Sequence, residues 1–85
     1  MRDATFHGHA VTVKLQNQNR PFERQMVSVD FADGKTAWVF RDELVYPAGA
    51  LIFTCAVHLY PAEWMAARDQ AERMSRRYSK LEGAA

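Results

Sequence analysis

The chain predicts an α+β domain: a four-stranded antiparallel meander, or a partly closed SH3-like barrel, followed by one long C-terminal amphipathic helix. Three observations carry this. Residues 61–82 show a single clean helical period. The stretch before them breaks into short runs with a period of two. Asp33-Gly34, a strong hairpin signal, stands between two of those runs.

The helix is the clearest element. Trp64, Ala67, Ala71, Met74, Tyr78 and Leu81 are spaced alternately three and four apart, which places them on one stripe. Pro61 suits the first helical position, where its missing N–H would have no partner in any case. Glu63 suits the positive end of the helix dipole, and Arg73, Arg76, Arg77 and Lys80 suit the negative end. Asp69–Arg73 and Glu72–Arg76 are i,i+4 pairs, worth roughly 0.2–0.5 kcal/mol each. Gly83 is a natural stop.

Four strands are expected before the helix. Residues 5–15 alternate through Val11, Val13 and Leu15, with His7 and His9 on the same parity and a bulge expected at Gly8. Residues 16–21 are polar and turn-rich. Residues 23–31 and 35–41 form a hairpin about Asp33-Gly34. A two-residue turn there pairs Val29 with Trp38 and Val27 with Phe40, so the large apolar residues share one face. Residues 42–50 connect, with Leu44, Val45 and Tyr46 able to extend a strand. Residues 51–60 alternate with both faces apolar, which reads as a central strand carrying a buried Cys55. The helix stripe then packs on Val27, Val29, Phe31, Trp38, Phe40, Phe53 and Val57.

Eighty-five residues make one small domain, and the 48% hydrophobic content is enough for a core without metal or disulfides. Eleven basic and ten acidic residues leave a net charge of +1, which argues against a dominant electrostatic ligand. A single cysteine gives no disulfide framework and fits a reducing compartment. The N-terminal residues have no apolar signal region, and the longest apolar run, residues 48–57, is too short to span a membrane. The expectation is a cytoplasmic protein with no membrane association.

Candidate chemistry is sparse. His7 and His9 share one side of a strand and could ligate a metal, with His58 a weak third candidate, but no HxxxH, CxxC or facing carboxylate completes a cluster; rim histidines are the plainer reading. Cys55 in an apolar run disfavours a thiolate, and no glycine-rich phosphate loop or cofactor motif occurs. No cofactor is expected. Arg73, Arg76, Arg77 and Lys80 interleaved with Tyr78 could grip nucleic acid, although dipole and solubility also explain them. The helix would run about 33 Å at 1.5 Å per residue. A short sheet covers its first half, which leaves Met74, Tyr78 and Leu81 for a partner. The leading expectation is a non-enzymatic protein-binding or regulatory module, self-associating as a homodimer. A nucleic-acid-associated regulator using the basic helix end comes second. A metal-binding or enzymatic domain around the histidines comes third.

Overall fold

The computed structural model describes residues 4–17, 24–49 and 54–83, the side chains of residues 79–83 excepted. The elements are β1 (Ala4–Phe6), β2 (His9–Asn17), β3 (Met26–Phe31), β4 (Thr36–Phe40), a 3₁₀ turn (Arg41–Glu43), β5 (Leu44–Val45), β6 (Cys55–Val57) and α1 (Pro61–Gly83). An antiparallel path β4-β3-β2-β1-β5 carries one helix, so the α+β reading holds.

The single strand expected over residues 5–15 is two strands. His7 and Gly8 both have positive φ, +47° and +84°. Two such residues in succession make a type I′ turn, and Phe6 pairs with His9 across it. Gly8 is therefore half of a hairpin turn and not a bulge. The irregularity in β2 comes later, between Val13 and Leu15.

The second hairpin differs by one residue from the expected register. Only Gly34 has positive φ at this turn, +91°, so Asp33 is not in a type I′ turn. Instead the loop holds three residues. The Phe31 N–H donates to the Lys35 carbonyl at 2.8 Å, and the Gly34 N–H to the Phe31 carbonyl at 3.0 Å. This is a type I turn closed by a glycine bulge. Asp33 Oδ1 supports it by accepting from the Lys35 N–H at 2.9 Å. Val27 consequently pairs with Val39, Ser28 with Trp38, and Met26 with Phe40. The shift sends Trp38 and Phe40 to the face opposite Val27 and Val29.

Both faces are covered, which is why the shifted register is stable. One face gathers Ala4, Phe6, Val11, Val13, Val27, Val29, Val39 and Leu44 into a buried core. The other packs Met26 and Phe40 against Trp64, Ala67 and Ala71, with Trp38 and Leu59 at the edge. The chain passes from β4 to β5 through only three residues, about 6 Å of 3₁₀ rise. Yet β4 and β5 are the two ends of the strand order. In a flat sheet they would lie about 19 Å apart. The sheet must curl, and its concave side encloses the first core.

Of the fourth expected strand, residues 54–60 are described. Among them Cys55–Val57 pair, and they run parallel to β2 rather than antiparallel. Cys55 is exposed, not buried, so this is an outer strand and not a central one. Phe53, expected under the helix, lies outside the described residues.

The helix begins as its sequence suggests, with one addition. The Glu63 carboxylate reaches back to accept the Tyr60 N–H at 3.1 Å, half of a capping box. The helix lies along the outer edge of β4, where Gln70 Oε1 accepts the Trp38 N–H at 3.0 Å. That edge would otherwise present an unpaired strand. Trp64, Ala67 and Ala71 serve the second core, while Met74 and Tyr78 pack against the first.

Two outcomes are expected from this arrangement. In urea unfolding, Phe6→Ala should cost about 3–5 kcal/mol, because it empties the first core. Trp38→Ala should cost distinctly less, since that ring is only half-buried. Separately, Thr36 Oγ1 donates to Asp30 Oδ1 at 2.6 Å, and this bond holds the Asp30 carboxyl below its ordinary value. The stabilisation is present at neutral pH and fades as pH falls through the folded-state pKa. Thr36→Val should raise the Asp30 midpoint in a carboxyl NMR titration.

Candidate functional site

The shifted hairpin register builds a groove. With Met26 and Phe40 on the helix side, the first turns of α1 face them through Trp64. Arg24, just before β3, and Arg68 and Glu72, on α1, form the rim. The groove holds about 300 Å³ and is lined by Arg24, Met26, Phe40, Trp64, Arg68 and Glu72. A shallower depression of about 180 Å³ adjoins it on the helix's outer face, lined by Met65, Arg68, Asp69 and Glu72. Met65 is 66% exposed there.

Each rim arginine lies over an aromatic floor residue. The Arg24 guanidinium carbon is 3.7 Å from the Phe40 ring centroid, and that of Arg68 is 5.5 Å from Trp64. Contacts of this kind contribute about 0.5–1 kcal/mol at exposed sites. Each arginine also holds a carboxylate. Arg24 donates to both oxygens of Asp42, at 2.6 and 3.0 Å. Arg68 Nε donates to Glu72 Oε1 at 3.1 Å. The Asp42 bonds hold the Arg24 guanidinium even more firmly protonated than usual, against its partial burial and with help from Glu43.

No family model, curated protein or solved structure matches this chain. The site therefore stands on its geometry.

The three histidines take separate partners. His7 Nε2 meets Glu43 Oε2 at 2.5 Å. His9 lies edge-on to Tyr78 at 5.0 Å, and His58 edge-on to Tyr60 at 6.3 Å. Among the described residues no group of three His, Cys, Asp or Glu side chains could hold a metal.

Met74 and Tyr78, expected to be left for a partner, make contacts within this chain. Both are half-buried on the chain's own core. Tyr78 stacks on Phe31 at 6.0 Å and meets Phe6 edge-on at 5.1 Å. The sheet edge covers more of the helix than expected, because the helix crosses from one face to the other. The Leu81 side chain lies outside the described residues. Arg73, Arg76 and Arg77 are exposed, and Arg73 is paired with Asp69 at 3.4 Å. The Lys80 side chain also lies outside the described residues.

Sequence reasoning missed the groove altogether. Arg24 lies 16 residues before Phe40 and 40 before Trp64. Only the register and the helix position bring them together. Arg24→Ala should cost about 1–2 kcal/mol in urea unfolding, through the lost ring contact, ion pair and stem packing. Arg24→Met, which keeps an unbranched apolar side chain but removes the guanidinium over Phe40, should recover only the part of that loss that comes from chain packing.

Proposed function

We propose that this chain is a non-enzymatic binding module that docks a protein partner in the groove between α1 and the β3–β4 hairpin. The observation that carries this is the groove's construction. Its floor is apolar and aromatic, and its lids are arginine side chains held by ion pairs that are about half exposed. Exposed pairs of this kind are worth only about 0–1 kcal/mol, so a partner can displace them cheaply. Displacing them uncovers Phe40 and Trp64, residue types that anchor protein interfaces well.

The partner we favour is a second copy. The rim carries Arg24 and Arg68 together with Asp42 and Glu72, so it has both signs on one surface. A two-fold related copy could answer each charge with its opposite, as an isologous interface requires. Exposed Met65 extends the apolar area beside it. The free, exposed Cys55 supports placement in the reducing cytoplasm. No helix among the described residues is long and apolar enough to cross a membrane.

A second reading uses the far end of the helix. Arg76 and Arg77 are exposed there, beside Arg73, and could contact phosphates. Arg76→Glu with Arg77→Glu should abolish any salt-dependent binding to generic DNA or RNA. Binding that survives both changes would exclude this surface.

Sedimentation velocity tests the favoured reading. A dimer should form at high micromolar concentration. Arg68→Glu should weaken it, and adding Glu72→Arg should restore it, because the swap preserves the pairing with reversed sign. A strict monomer at that concentration would remove the second copy as the partner.

A further inference from the structure

The groove and the depression on the outer face of α1 share a wall. Arg68 and Glu72 line both, and Arg68 Nε donates to Glu72 Oε1 along that wall at 3.1 Å. On the groove side stand Met26, Phe40 and Trp64. On the other side stands Met65, 66% exposed. Successive helical residues point about 100° apart, so Trp64 closes the groove while Met65 turns away from it. Met65 belongs to neither core. An apolar knob and an apolar hole therefore lie side by side on one surface, with an ion pair between them.

We propose that Met65 is the anchor with which a second copy of the chain fills this groove. The inference rests on the docking role of the groove and gives that role a geometry. A two-fold axis through the shared wall exchanges knob and hole, as an isologous interface requires. It carries Met65 of each copy over Phe40 and Trp64 of the other. The same axis sets each Arg68 against the other copy's Glu72, so four side chains alternate in sign around it. Each Arg68 then trades its own Glu72 for the second copy's. It leaves the Trp64 ring without leaving a charge unpaired, and the incoming Met65 covers the ring instead.

Methionine suits this task. It is unbranched, adapts to irregular gaps, and its sulfur makes favourable contacts with aromatic rings. The groove offers two such rings and about 300 Å³ of space. The cover over that space yields readily, because the Arg24–Asp42 and Arg68–Glu72 pairs are about half exposed. The other exposed large apolar side chains, Val45 and Tyr60, line neither the groove nor the depression. A partner of one charge sign would leave either the arginines or the carboxylates of the wall unanswered. A second copy answers both.

Isotope-filtered NMR on a mixed sample of the full chain tests this at high micromolar concentration. Half of the chains carry methyl-labelled methionine and half are unlabelled. The Met65 methyl, identified by its loss in Met65→Ala, should show cross-peaks to Phe40 ring protons of the unlabelled copy. In sedimentation velocity, Met65→Ala should raise the dimer Kd about tenfold or more, the scale expected when a buried apolar side chain is lost. Its urea midpoint should stay at the native value, because the side chain is exposed in the single chain. Met65→Leu, close in volume, should keep most of the affinity. The anchor is overturned if the native dimer shows no such cross-peak, or if Met65→Ala dimerises as the native chain does. A dimer indifferent to Met65 but broken by Arg68→Glu would remove the anchor and leave the groove as the docking site. A strict monomer would remove the second copy and the anchor together.

Discussion

Three residues, Arg41–Glu43, impose the main constraint on this structure. They join the strand at one end of the sheet order to the strand at the other. No flat sheet can satisfy so short a link, so the sheet curls. Curling gives β1, β2, β3 and β4 a common concave side, and that side is filled by small and branched apolar residues around Phe6. The Arg41 N–H donates to the Gln25 carbonyl at 2.9 Å, which ties the turn to the segment entering β3. The same turn then offers Asp42 to Arg24 and Glu43 to His7. A topological necessity has thus placed two carboxylates where they organise the rim of the groove.

The curled sheet still has an outer edge at β4, and α1 resolves it. Ala67 and Ala71 are small and fully buried, so the helix backbone comes close to the hairpin. Gln70, on the same side, accepts the Trp38 N–H that no strand accepts. An unprotected edge invites pairing with other chains, and a covered one does not. Lying on an edge also explains how one regular stripe serves two cores. Its early residues meet the convex face, and its later ones, Met74 and Tyr78, reach the aromatic cluster of Phe6 and Phe31.

The groove gains its character from the balance of these parts. Its floor residues Met26, Phe40 and Trp64 are buried, so they belong to the core as much as to the site. The guanidinium groups of Arg24 and Arg68 lie over Phe40 and Trp64 and pair with Asp42 and Glu72 at the surface. Such a cover rests on exposed ion pairs worth only about 0–1 kcal/mol each. This is a different surface from the one that helix length alone suggests.

The sequence by itself determined the fold class, the helix and its core stripe. Those features depend on local periodicity, which Trp64, Ala67 and Ala71 display without help from the rest of the chain. It also located the Asp33-Gly34 hairpin, but not its register. Whether the turn holds two residues or three depends on the φ of Asp33, and the sequence admits both. That single angle decides which face Trp38 and Phe40 occupy. His7-Gly8 carried a weaker turn signal than Asp33-Gly34, yet it forms the type I′ turn. The groove and the His7–Glu43–Arg24 cluster were invisible for a related reason. Their residues come from segments far apart in the chain, and only the curl of the sheet and the edge position of the helix bring them within bonding distance. Local chemistry writes the elements; the contacts between them exist only once long-range packing has chosen one register and one side.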